Sequence, residues 1–136
     1  KFNKIDIVLS PALGGIVVGY EIGRQLKTKT IFAERVNGEI ILRRGFTIKP
    51  NTKVLIVEDV ITTGKSAQEC EKIVNANNAI LVGYACIIDR STENISIKDK
   101  IISQMKFTIE TFSKDNLPDV LKNINPIKPG SKNLSK

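Results

Sequence analysis

The sequence has no histidine and no tryptophan, only two cysteines and one methionine among 136 residues, and 5% aromatics. Each shortage removes a class of chemistry. Without histidine this chain holds no His-based metal centre and no Ser–His or Cys–His nucleophile system. Two isolated cysteines, Cys70 and Cys86, supply neither zinc-finger spacing nor a disulfide framework, and suggest a reducing, cytoplasmic setting. No apolar run approaches the ~18 residues of a membrane span, and Lys1 to Ser10 carries no signal-peptide pattern. The first residue is Lys1 and not Met, as expected of a fragment or a processed product. Chemistry is left to carboxylates, hydroxyls, Lys and Arg, backbone amides, or an oxygen-bound ion.

The length fits one domain, and 41% hydrophobic with 26% charged residues is an ordinary globular composition. The net charge of +7 is uneven. Residues 1–50 hold nine basic against four acidic side chains, residues 51–90 four against five, and residues 91–136 eight against five. Such a balance suits small anionic ligands. Few stacking aromatics and no long Lys/Arg run argue against nucleic acid as the partner.

Strand and helix patterns alternate along the chain. Ile5–Leu9 reads as a strand, Ser10–Gly15 as a loop and Ile16–Leu26 as a helix ending near Lys27. Gly15, Gly19 and Gly23 fall on one stripe of that helix, which suits close packing on a sheet. Thr30–Ala33 is a second strand, and Asn37-Gly38 between extended runs signals a two-residue hairpin. Pro50-Asn51 marks a turn. Val54–Val57 is wholly apolar, as in a central parallel strand covered on both faces. Thr62–Lys65 is a loop, and Ser66–Asn77 a helix with Cys70, Ile73 and Val74 on one face. Ile80–Ile88 is a further strand, Lys106–Ile109 a last short one, and Pro118–Asn123 a short helix. The expected fold is α/β, a central mostly parallel sheet flanked by helices with a hairpin as lid. Residues 1–125 would form the catalytic core and 126–136 a C-terminal tail. In such sheets ligands bind at the C-terminal strand ends, near a switch point.

The most informative segment is Val54-Leu55-Ile56-Val57-Glu58-Asp59-Val60-Ile61-Thr62-Thr63-Gly64-Lys65-Ser66. A buried strand ends in two carboxylates, and a Thr-Thr-Gly-x-Ser turn opens a helix. Backbone N–H groups at such a helix start form an anion site. Thr62, Thr63 and Ser66 add hydroxyls, and Gly64 lets the main chain come close. Glu58 and Asp59 would repel a phosphate, so they should face sugar hydroxyls or a hydrated Mg²⁺. The bland alternative is an acidic strand end beside an ordinary Thr/Ser helix cap. The spacing is neither that of a P-loop nor of a dinucleotide fingerprint.

This string resembles the phosphoribosyl-diphosphate (PRPP) motif of type I phosphoribosyltransferases at every position. The wider resemblance is to the orotate phosphoribosyltransferases. It rests on Ser10-Pro11-Ala12-Leu13-Gly14-Gly15, Phe32-Ala33-Glu34-Arg35, Leu42-Arg43-Arg44-Gly45-Phe46, Asp89-Arg90-Ser91 and Lys128-Pro129-Gly130-Ser131. It implies transfer of a phosphoribosyl group from PRPP to orotate, giving orotidine 5′-monophosphate and pyrophosphate, with Mg²⁺ held mainly through PRPP and not by direct protein ligands. It implies catalytic roles for Glu58, Asp59 and Arg35, with the two acids on the ribose hydroxyls. It implies that PRPP is bound by the whole stretch Glu58, Asp59, Val60, Ile61, Thr62, Thr63, Gly64, Lys65 and Ser66, with Thr62 to Ser66 cradling the 5′-phosphate. Pro11, Ala12, Leu13, Gly14 and Gly15 would form the pyrophosphate loop, which in the family often carries a strained peptide. Thr62 and Arg90 would contact orotate.

The resemblance further implies a homodimer whose hairpin lid, with Arg35, Arg43 and Arg44, closes over the site. The plain reading of Arg43 and Arg44 is a solvated hairpin face. Relatives carry an N-terminal hood over the base, which this sequence is expected to lack. Their lids often hold Lys and His where this one offers Arg, and no Cys pair stands near Asn116 to Asp119, which argues against a structural metal there. Two alternatives remain: another base as acceptor, a purine included, or a non-catalytic PRPP-sensing regulator on the same fold.

Overall fold

The computed structural model describes residues 2, 4–92, 95, 97–113, 115–125 and 127. The Lys128-Pro129-Gly130-Ser131 segment, and the tail assigned to 126–136 apart from Ile127, lie outside the described residues. The strands are β1 (Ile7–Pro11), β2 (Lys29–Val36), β3 (Glu39–Leu42), β4 (Lys53–Ile61), β5 (Ile80–Asp89) and β6 (Ile101–Lys106). The helices are α1 (Gly14–Leu26), α2 (Lys65–Ala76) and the short α3 (Asp119–Lys122). The strands form one sheet in the order β3-β2-β1-β4-β5-β6. Only the β2–β3 pair is antiparallel, so the expected mostly parallel α/β sheet is what forms.

Residue alternation along the strands sends apolar rows to both faces. Ile7, Leu9, Ile31, Val54, Ile56 and Tyr84 pack with Ala67, Cys70 and Val74 of α2. Val8, Leu55, Val57 and Ala85 pack with Val18 and Ile22 of α1. The glycine stripe of α1 is fully buried and does what its spacing suggests. A Cβ at Gly19 would lie 3.1 Å from Ser10 Cβ, and one at Gly23 would lie 3.3 Å from Thr30 Cβ. The helix backbone therefore rests directly on β1 and β2. After β1 the chain moves to β2 on one side, and after β4 to β5 on the other. The switch point falls between β1 and β4, and in open α/β sheets the ligand crevice lies outside the C-terminal strand ends at such a point.

The hairpin turn forms at Asn37 (φ 51°) and Gly38 (φ 92°), the two positive values that a two-residue turn between twisted strands requires. Asn77 closes α2, its side-chain amide donating to Ile73 O at 2.8 Å.

Some boundaries differ from the sequence expectation. β1 runs on to Pro11 and α1 starts at Gly14, so the loop between them is only Ala12 and Leu13. β4 does not stop at the first charge but continues through Glu58 to Ile61, because β5 supplies a ladder partner as far as Asp89. The last strand is Ile101–Lys106, not Lys106–Ile109. It pairs in parallel with Tyr84–Asp89, and its polar second half belongs to a sheet edge. Among the described residues no helix is long and apolar enough to cross a membrane.

Candidate active site

The extension of β4 places the two acids on opposite faces. Glu58 continues the row of Val54 and Ile56 toward α2, and Asp59 that of Leu55 and Val57 toward α1. Glu58 is buried, and its Oε1 has no hydrogen-bond partner among the described residues. Burial, helped by the neighbouring Asp59 charge, pushes its carboxyl up to about 7. A carboxyl left thus is costly unless a polar group meets it. Asp59 is exposed, and its Oδ1 accepts the Val60 N–H at 2.9 Å.

The loop after β1 lies against Asp59. A Cβ at Gly14 would come within 2.7 Å of Asp59 Cγ, and one at Gly15 within 3.0 Å of Val57 O. Only glycines allow this approach. The loop starts as an extension of the sheet, with Ala12 N–H donating to Ala33 O at 2.8 Å, and the Ala12–Leu13 peptide is cis. Pro11 is buried and Leu13 is 82% exposed. The structure thus sets the Gly14-Gly15 end of the Pro11–Gly15 loop against Asp59 and Val57 at the C-terminal end of β4.

Past β4, Thr62 and Thr63 are exposed and Gly64 is buried at φ 75°. A Cβ there would meet Ile97 Cδ1 at 2.8 Å. Gly64 is the N-cap of α2, and no side chain caps this helix start. The nearest approach is a long 3.4 Å contact from Lys65 N–H to Thr63 Oγ1. The ordinary Thr/Ser cap is therefore not what the turn builds. The first amides of α2 and the positive end of its dipole face the crevice, which suits a phosphate. Ile61 is core and Val60 half-buried, so these two carry the flanking groups by packing. Lys65 is exposed and Ser66 half-buried.

Arg90 follows β5 directly. Its N–H donates to Ile61 O at 2.8 Å, and its Nε is buried without a partner among the described residues. With Thr62, Thr63, Thr92, Ile109 and Thr111 it lines a cavity of about 290 Å³. The structure therefore places Thr62 and Arg90 on one cavity. It also adds Thr92, Ile109 and Thr111, which no local pattern marks, because they reach the cavity only through the path of the chain around β6.

The arginines on the β2–β3 side are already engaged. Arg35 donates to Gly38 O and to the Glu69 carboxylate of α2, with Nη1 3.2 Å from Oε1 and Nη2 bonded to Oε2. This pairing holds Glu69 below its usual range. Arg44 makes two 2.8 Å bonds to Glu34 and lies over the Phe32 ring. Arg43 is exposed. Cys70 and Cys86 are buried, and burial raises both thiols, to about 12 and about 11, which leaves them as packing groups. Among the described residues no cluster of three or more acidic, Cys or His side chains stands ready for a metal.

An uncapped helix start, a carboxylate pair and a close glycine loop stand at the C-terminal ends of β1 and β4 on either side of the switch point. The family model of the phosphoribosyl transferase domain matches residues 1–115. The chain belongs to the phosphoribosyltransferase family. Within that family it is 49% identical over 131 residues to an orotate phosphoribosyltransferase of Chlorobium phaeobacteroides strain BS1, covering 96% of this chain and 68% of the relative. It is 47% identical over 137 residues to one of Methylorubrum extorquens strain PA1, covering all of this chain and 70% of the relative. An adenine phosphoribosyltransferase structure from Thermoanaerobacter pseudethanolicus superposes with a TM-score of 0.67 at 17% identity, covering 76% of this chain and 71% of that one. That last likeness is one of fold.

Proposed function

We propose that this chain transfers the 5-phosphoribosyl group from PRPP to orotate, releasing pyrophosphate, as a step of pyrimidine nucleotide synthesis. The carrying observation is the uncapped start of α2 at Gly64 beside the Glu58–Asp59 pair. Thr62 to Ser66 hold the 5′-phosphate, and Glu58 and Asp59 take the ribose hydroxyls. The half-neutral Glu58 carboxyl suits a hydroxyl, to which it can donate or from which it can accept. The Pro11–Gly15 loop offers main-chain amides to the pyrophosphate. Arg90, beside Thr62, faces the acceptor, and its partnerless Nε favours an anionic base such as orotate.

The reaction breaks the bond from the anomeric carbon to pyrophosphate and forms one to a ring nitrogen. Little covalent machinery is needed, and positioning with charge stabilisation carries the rate. The donor set fits a Mg²⁺ held through PRPP oxygens, since two carboxylates at the sugar leave room for an ion that brings its own phosphate ligands. Bound there, Mg²⁺ supplies charge neutralisation of the leaving pyrophosphate. Arg35, released from Glu69, reaches the same region. The working form is read as a cytoplasmic homodimer, on the family likeness and the two free cysteines.

Calorimetric titration with PRPP and Mg²⁺, then with orotate or adenine after saturation, tests the proposal. PRPP binding followed by turnover heat with orotate alone is expected. Turnover with adenine alone would move the acceptor to purines. PRPP binding without turnover on either base would favour a sensor.

A further inference from the structure

The turn that carries Arg90 is more firmly built than a loop of that length requires. Both peptide groups flanking the Arg90 Cα are pinned. Its own N–H donates to Ile61 O at 2.8 Å, and the Ser91 N–H donates to Asp89 Oδ1 at 2.8 Å. The second bond makes an Asx turn, in which a carboxylate two residues back replaces a backbone acceptor. Asp89 is itself locked. It is 6% exposed, pairs in register with Ile61 on one side and Lys106 on the other, and accepts the Phe107 N–H on its main-chain oxygen at 2.9 Å. Its Oδ2 lies 3.5 Å from Lys106 Nζ. Burial alone would raise its carboxyl, but the Ser91 bonds and Lys106 outweigh it and hold it below the usual range. Arg90, in contrast, has a buried Nε with no partner among the described residues. The two backbone bonds of the turn set the direction in which its side chain leaves the end of β5.

We propose that Asp89 is a positioning residue for the acceptor: by closing the turn at Ser91 it directs the Arg90 guanidinium into the cavity beside Thr62. The inference rests on the reading that Arg90 meets orotate. Lys106 assists from the sheet edge, and its effect is the weaker because it is mostly exposed.

The test separates the Michaelis constants of the two substrates. In Asp89→Ala the turn bond is lost, and the KM for orotate should rise about tenfold, as a misaimed binding group does. The KM for PRPP should stay within about twofold, since the Gly64–Ser66 cradle is untouched. Asp89→Asn keeps an oxygen for the Ser91 amide and should recover most of the orotate affinity. A purely structural role would instead raise both constants together. An unchanged orotate KM in folded Asp89→Ala overturns the proposal, as does an Asp89→Asn variant no better than Asp89→Ala. If Asp89→Ala fails to fold by circular dichroism, Asp89→Ser carries the test through its weaker hydroxyl acceptor, with an intermediate orotate KM expected and an unchanged one overturning. Arg90→Ala is measured alongside. If it leaves the orotate KM unchanged, the underlying reading of Arg90 is what fails.

Discussion

The two flanks of the crevice are held in opposite ways. On the β4–β5 side, Glu58 Oε1 and Arg90 Nε are buried with no partner among the described residues. On the β2–β3 side, Arg35 and Arg44 are exposed and paired, with Glu69 and Glu34. The first flank has already borne the desolvation of its polar groups, so a fitting ligand gains the whole interaction. The second must exchange one set of bonds for another, in water, at little net gain. One side is preorganised and the other is exchangeable. A rigid sheet end and a hairpin wing suit those two tasks.

The largest expected effect tests the preorganised side. Asp59→Asn should lower kcat/KM for PRPP about 100-fold, the scale of losing one charge-stabilising group. The melting temperature should move by no more than about 2 °C, because Asp59 is exposed and holds no core. A large fall in stability together with unchanged PRPP kinetics would break the comparison.

Next comes Glu58. Its native carboxyl titrates near 7 against an ordinary 4.5, so the folded state binds this proton more tightly than the unfolded chain. Stability from this group is greatest at acid pH and falls as pH rises from 4.5 to about 7. At about 1.4 kcal/mol per pH unit, the stability of Glu58→Gln relative to the natural protein should gain about 3 kcal/mol across that window. Urea unfolding at several pH values reads this directly. A flat difference would mean that Glu58 is solvated.

The smallest effect sharpens the exchangeable side. Glu69→Ala releases Arg35, and kcat should change by less than about threefold in either direction, the modest scale of an exposed ion pair. Arg35→Ala should cost more than Glu69→Ala, as expected if the guanidinium serves the substrate once free. Equal small effects in steady-state assays would reduce the pair to a surface contact.

How much of this was legible follows from the range of each interaction. The central strand, both long helices, the Asn37-Gly38 hairpin and the glycine stripe all rest on local spacing, and they form as read. So does the gathering of Pro11–Gly15, Glu58–Asp59 and Thr62–Ser66, since strand order at a switch point follows from alternation of elements. β6 was misplaced because its outer half is polar, as an edge strand tolerates, while the apolar signal pointed further along. The reach of β4 depends on β5 offering ladder partners to Glu58 and Ile61, which no local pattern contains. The Arg35–Glu69 pair spans 34 residues and the Arg44–Glu34 pair joins two sides of a hairpin, so local spacing shows the engagement of neither arginine. The opposed orientation of Glu58 and Asp59 was implicit in strand periodicity, and appeared only once the strand was known to continue through both.

The strand order β3-β2-β1-β4-β5-β6 also divides the molecule as a text. What would read the sugar phosphate is written in residues 11–15 and 58–66, at the two central strands. What would read the acceptor is written later, in 89–111, around the edge. The two passages meet at Thr62 and Thr63 on the Arg90 cavity, where Gly64 lies against Ile97, and at the Ile61–Arg90 bond. A chain so arranged can be revised in its final third for a different base while the earlier passages stand unaltered, and the donor half can be inherited intact across enzymes that share little else.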